Sequence, residues 1–288
     1  MSAIIISTLM SGILLGALYA LMASGLSLIW TTLGVFNFAH GALMMIGAFV
    51  AWTVSEAMGL GIVAGLIAGL GVTAILGIVI EFLLIRPFYS KPNVLLITTM
   101  TTLAAMIILE KSAQMIWGAR LKQLPRMIEG DVSVLGAVIS AQEALIIVLA
   151  PLVLIALWQF TNRTTVGRSL RAVGQNQDAA ALIGINVPMT FALAFGLGAA
   201  LAGLSGILLG SIRFITPGLG AEPLVKAMIV VIFGGLGSLG ATAGAAFVIG
   251  MTEAFLILVV GLYWTPFLLF VFLIAVLVFR PTGLFGKV

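Results

Sequence analysis

The chain's only histidine, His40, lies in the segment F-N-F-A-H-G at Phe36–Gly41, and Glu81, Glu110, Glu143, Glu222 and Glu253 are acidic groups that could work beside it. A histidine next to a carboxylate can relay protons, and carboxylates inside apolar segments can couple ions to transport. The spacing brings no such set together. His40 has no nearby carboxylate in sequence. It fits either a polar group beside a pathway, with Asn37 as a helix cap and Gly41 next to it, or a ring hydrogen-bonded to a neighbouring helix to hold a bend. Glu81 is one turn from Arg86, Glu110 adjoins Lys111, and Glu222 is four residues from Lys226, a helical pairing distance. Glu253 alone reads as deep and unpaired. With no cysteine and one histidine, cysteine metal sites and His-pair zinc motifs are excluded, and neither a catalytic nor a metal-binding set is expected.

G-L-G-S-L-G at Gly235–Gly240 matches the local form of a dinucleotide-binding turn. The context does not: Glu253 comes too soon for the ribose-binding acid, and it lies in an apolar run. Gly235, Gly237 and Gly240 fit better as an unwound break between two membrane helices, where irregular backbone lines a cavity or is buried in protein.

The strongest feature is Thr164–Pro188, TTVGRSLRAVGQNQDAAALIGINVP, a polar island in an apolar chain. Thr165 can cap a helix, Gly174 and Asn176 can break it and start another, Asp178 suits the second helix's first turn, and Gly184 ends it. Two short helices joined by a bend exceed what a turn between spans needs. They fit either a solvated interfacial helix or a docking element for a cytosolic partner. In the second case Ala179 and Ala180 offer a close-packing surface, and Arg168 and Arg171 offer charged contacts.

These features must be held by membrane helices. The 288 residues are 62% hydrophobic and 8% charged, against about 25% charged in soluble domains, so lipid solvates much of the chain. The net charge of +4 is scattered among loops, which argues against nucleic acid. With no Lys or Arg before Arg86, no cleavable signal peptide is expected. Apolar runs predict spans at Leu9–Trp30, Phe36–Val54, Leu60–Leu84, Val94–Leu109, Ala144–Phe160, Pro188–Ile212, Ala241–Val260 and Pro266–Phe279, the last capped by Thr265. Pro223–Gly235, near 18 Å as a helix, is too short for a core about 30 Å thick and reads as a half-helix. The fold class is therefore an all-α polytopic membrane protein with eight or nine transmembrane helices, some interrupted, forming one domain over 1–288. Ser140–Glu143 has the form of a capping box, and VSVLGAVIS before it suits a short strand pair. Gly61, Gly65 and Gly69, like Gly206 and Gly210, predict close helix packing.

Orientation is nearly silent in the charges. With the polar stretch inside, seven Lys and Arg (Arg86, Lys91, Arg163, Arg168, Arg171, Arg280, Lys287) face six outside (Lys111, Arg120, Lys122, Arg126, Arg213, Lys226).

D-A-A-A-L-I-G-I-N at Asp178–Asn186, preceded by G-R-S-L-R-A-V, resembles the cytoplasmic coupling loop of ABC-importer permeases, with Asp178 where the family pattern has Glu. LGVFNFAHGALMMIGAFVA and FGGLGSLGATAGAAFVIG are similar to segments of LivH-type branched-chain amino acid permeases, and the resemblance runs along nearly the whole chain. It implies a bacterial inner-membrane subunit forming half of a channel, with a coupling loop at about 163–187 inside and a loop at about 117–143 outside. It also implies a second related permease (LivM type), two cytosolic ATP-binding subunits (LivG and LivF type) and a periplasmic substrate-binding protein. This chain has no G-x-x-x-x-G-K-[ST] motif, so ATP and Mg would act on the partners and no cofactor is expected here. The same subfamily includes urea and short-chain amide permeases. An ion-coupled secondary carrier is the alternative outside it.

Overall fold

The computed structural model describes residues 2–89, 91–134 and 137–285. Lys287, one of the charges counted above, lies outside them. The helices are α1 (Ser2–Leu33), α2 (His40–Trp52), α3 (Gly61–Ile80), α4 (Val94–Trp117), α5 (Ala141–Arg163), α6 (Thr165–Gln175), α7 (Gln177–Leu182), α8 (Val187–Ile212), α9 (Ala221–Gly234), α10 (Leu239–Val260) and α11 (Thr265–Phe279). Six of them, α1, α3, α4, α5, α8 and α10, are long and apolar enough to cross a membrane.

The segment expected as one span at Phe36–Val54 is helical over His40–Ala57, starting four residues later than expected. α2 itself has 13 residues, or about 20 Å, and runs on without a break into a π-turn at Thr53–Ala57. After Leu33 the chain doubles back. His40, which opens α2, places Nε2 at 3.0 Å from the Met22 carbonyl, 11 residues and about 16 Å back along α1. Asn37 does not cap the helix. Its Oδ1 accepts from Ala39 N–H at 3.1 Å and holds the turn. α9, with 14 residues, is the half-helix expected from its length.

α2 and α9 meet at their starts. A Cβ on Gly41 would strike the Gly220 carbonyl, and one on Gly220 would strike the Gly41 carbonyl. Gly25 and Gly198 make the same exchange, with Cβ positions 2.7 and 2.9 Å from each other's carbonyl oxygens. α1 packs on α10 as α8 packs on α3, and α2 packs on α8 as α9 packs on α1. These reciprocal contacts relate α1–α2–α3 to α8–α9–α10 as an inverted repeat. Glycine makes the approaches possible: Gly65 and Gly69 sit against the carbonyls of Ala51 and Gly47, and Gly206 against Met44. Gly61 differs from the expectation. It begins α3 at φ +81° with nothing near its Cβ position.

Other boundaries shift for local reasons. α4 continues through Glu110 and Lys111 to Trp117, because charges in a helix's last turns can reach the interface without stopping it. Thr265 does not cap α11; its hydroxyl donates back to the Gly261 carbonyl at 2.8 Å. The capping box at Ser140–Glu143 is complete, with Glu143 N–H to Ser140 Oγ at 3.2 Å and Ser140 N–H to Glu143 Oε2 at 3.0 Å. The strand pair precedes it as β1 (Asp131–Val134) antiparallel to β2 (Ala137–Ser140).

Candidate functional site

The polar stretch folds as two capped helices. Thr164, one residue before the expected cap, accepts from Gly167 N–H at 3.0 Å and starts α6. Asn176 ends α6 and caps α7, accepting from Ala179 N–H at 2.9 Å. Gly184 takes φ +85°, with Gly184 N–H on the Ala181 carbonyl and Ile185 N–H on the Ala180 carbonyl. That pair of bonds is a Schellman motif, closed by the one residue type without a Cβ penalty there. Asn186 then caps α8, accepting from Met189 N–H at 3.0 Å.

Gly174 does not break α6 as the sequence led us to expect. It lies inside the helix, seated on the Thr31 carbonyl at the end of α1. Arg171 is not a free charge either, since its Nη1 donates to the Thr161 carbonyl and Asn162 Oδ1, tying α6 to the end of α5. Ala180 points inward, buried with Val173 and Phe191, so it is not the close-packing surface expected of it. The face left free carries Arg168, Asp178, Ala179 and Gly184. It also carries Leu182 and Ile183, 89% and 75% exposed at the end of α7. Sequence reasoning passed over this apolar pair, although A-A-L-I-G places it just before the helix-ending glycine.

Phe191 joins this unit to the body. Its ring meets Tyr89 edge-on at 4.8 Å, and the Tyr89 hydroxyl donates to buried Glu81. Arg86 bonds Glu81 through Nε at 3.3 Å and Nη2 at 3.1 Å, and reaches the Pro188 carbonyl at 3.4 Å. The Glu81–Arg86 pairing follows the sequence expectation. Burial and the neighbouring Glu81 carboxylate raise the Tyr89 pKa, so the hydroxyl remains a donor.

The glycine break forms where expected. Gly235 (φ +90°) ends α9, Gly237 has φ +138°, and Ser238 caps α10, leaving Gly240 in its first turn. This turn and α6 border one cavity of about 730 Å³, which places Gly237 and Gly240 opposite Arg171 and Gly174. Asn37, His40 and Gly41 lie elsewhere. Asn37 and His40 are fully buried between helices, and the Met22 carbonyl takes the His40 Nε2 proton. They hold the bend at the start of α2.

Glu253 is buried but not unpaired. Lys226 Nζ lies 2.6 Å from its Oε1, and Tyr19 donates to its Oε2 at 2.6 Å. Lys226, counted above among the charges outside, is therefore buried between helices. Its partner is 27 residues away on another helix, beyond any local spacing.

Comparison with known proteins agrees with this architecture. A family described as "Branched-chain amino acid transport system / permease component" matches residues 8–277. The chain is 34% identical to the high-affinity branched-chain amino acid transport system permease protein BraD of Pseudomonas aeruginosa, covering 97% of this chain and 95% of that one. It is 30% identical to LivH of Escherichia coli, covering 96% and 94%. PsaBC from Streptococcus pneumoniae, solved with a Fab, superposes with a TM-score of 0.50 at 12% identity over 92% of this chain and 89% of that one, a likeness of fold. The chain therefore belongs to the family of branched-chain amino acid transport system permease components, as a multi-pass membrane subunit and not an enzyme.

Proposed function

We propose that this chain is the LivH-type half of an ATP-driven importer for branched-chain amino acids in the bacterial inner membrane. A LivM-type permease supplies the other half of the channel, and a periplasmic binding protein delivers the substrate. LivG- and LivF-type ATPases, which bind ATP and Mg, grip α6–α7 from the cytosol. The observation that carries this is the Leu182–Ile183 tip. Two large apolar side chains stand almost fully exposed on a short, doubly capped helix beyond the membrane-length helices. Such exposure marks a protein contact, and the caps make α7 stiff enough to transmit a push. From α7 the packed route runs through Ala180 and Phe191 to Tyr89 and Glu81 at the end of α3. The relatives' printed substrates support the amino-acid assignment.

The test is reconstitution of the chain with its candidate partners in vesicles, followed by uptake of labelled leucine and urea. ATP-dependent leucine uptake that needs the binding protein is expected. Uptake without any ATPase would make the chain an ion-coupled carrier, and uptake of urea alone would move it to the amide permeases.

A further inference from the structure

The two ends of α8 are held by different loops. Its start carries the polar loop: Asn186 caps it, Arg86 Nη2 reaches the Pro188 carbonyl at 3.4 Å, and Phe191 packs with Val173 and Ala180. Its end is laced to the segment after α4. Lys122 N–H donates to the Ile215 carbonyl at 3.2 Å, Ile215 N–H donates back to the Lys122 carbonyl at 2.7 Å, and Leu124 N–H reaches the Gly210 carbonyl at 3.4 Å. A Cβ on Gly210 would lie 3.0 Å from the Ile215 side chain and 3.2 Å from that of Leu124, so this seam is closely packed as well as bonded.

One side chain ties this seam to a third element. Gln142, in the first turn of α5, is fully buried. Its Oε1 accepts from Met127 N–H at 2.9 Å and from Ile128 N–H at 3.4 Å. Its Nε2 donates to Ser211 Oγ at 2.8 Å, in the last turn of α8. An amide accepts at one end and donates at the other, which an ionised carboxylate or an aliphatic side chain cannot do. Ser211 in turn donates to the Leu208 carbonyl at 2.7 Å. Between its two ends α8 runs 26 residues, about 39 Å, and its one proline lies in the first turn, where it causes no kink. Backbone contacts hold it along the way: a Cβ on Gly77 of α3 would strike the Phe195 carbonyl, and one on Gly206 would strike the Met44 carbonyl of α2. A helix packed this closely answers a push at one end by shifting as a unit.

We infer that α8 carries the signal between the two faces of the membrane, with Gln142 as the positioning residue that fixes the outer loop to it. This rests on the proposed import. A loaded binding protein that docks on the loop at about 117–143 shifts α8 through the seam at Lys122–Ile128, and α8 shifts the seat of α6–α7 through Phe191 and Pro188. ATP binding on the cytosolic side biases the outer loop along the same helix, because coupling between two sites is reciprocal.

The test uses the reconstituted complex with both permeases, the ATPases and the binding protein. In Gln142→Leu and in Ser211→Ala, stimulation of ATP hydrolysis by leucine-loaded binding protein should fall about three- to tenfold, the scale of a lost buried hydrogen bond. Assembly and unstimulated hydrolysis should persist. The double variant should lose no more than Gln142→Leu alone, since both changes cut one link. The second measurement is the Kd of loaded binding protein for the complex, with and without a non-hydrolysable ATP analogue. Both variants should flatten the dependence of that Kd on the analogue. A merely structural role would weaken binding equally in the two conditions, which overturns the inference. Wild-type stimulation in both variants also overturns it, while leaving the importer assignment intact. If Gln142→Leu does not assemble, Ser211→Ala decides by the same two readings. A wild-type complex whose leucine uptake and ATP hydrolysis ignore the binding protein removes the importer assignment and the inference together.

Discussion

Replacing Gly174 with alanine sets two effects of opposite sign against each other. In the interior of an exposed helix, Gly→Ala is favourable by about 1 kcal/mol. In α6 the new Cβ would overlap the Thr31 carbonyl oxygen and lie 3.2 Å from the Thr31 carbonyl carbon. That obstacle is α1 backbone and cannot rotate away, and forced overpacking of this kind costs roughly 1–3 kcal/mol. The clash exceeds the propensity gain, so α6 should lift from α1 at a net cost of about 0–2 kcal/mol, up to roughly 30-fold in the seated population. Gly240→Ala is the control. It lies in the first turn of α10 with only Ser238 Oγ near, at 3.9 Å, and should be neutral or slightly stabilising. Thermal unfolding of the purified complex and leucine uptake per ATP hydrolysed would read both. If Gly174→Ala raises the melting temperature and keeps full coupling, α6 is not seated on α1 and its route into the membrane domain is wrong.

Gly184→Glu should cost about 1 kcal/mol or more, because a side chain must then adopt φ +85°; co-purification of the ATPases should fall while the permease stays in the membrane. Lys226→Ala strands Glu253 in the apolar interior. A loss of about 3–5 kcal/mol is expected, visible as poor recovery of folded protein, and Glu253→Gln in the same chain should restore part of it. Cysteines introduced at exposed Arg168 and Gln123 report orientation. In intact cells an impermeant thiol reagent should label position 123 and not 168, and the reverse pattern would invert the topology.

Most of the helices were legible because each apolar run leaves few polar groups to bury, and in lipid that dictates a helix. The caps at Ser140, Asn176 and Gly184 were legible too, since capping is decided within a few residues. What escaped was set across the fold. The inward face of Ala180 depends on Phe191, and the pairing of Glu253 depends on Lys226 of another helix. The late start of α2 was hidden because Phe36–Val54 reads as one apolar run. Only the Met22 carbonyl and Gly220 reveal that its start is held deep inside.

The deep start of α2 also has a consequence for how the protein is made. α2 leaves the ribosome early and meets α3 soon after, yet another of its faces is closed only by Gly203 and Gly206 on α8, roughly 150 residues later. At about 5–20 residues per second, that interval is on the order of 10–30 s. During it, the turn with Asn37 and His40 has neither the Gly220 backbone nor α8 to cover it. The Met22 carbonyl on α1 is already there to take the His40 Nε2 proton, so what waits for α8 is packing surface rather than hydrogen-bond partners. Chains stopped in the polar loop between the halves would present an unfinished membrane segment, a clear target for quality-control proteolysis.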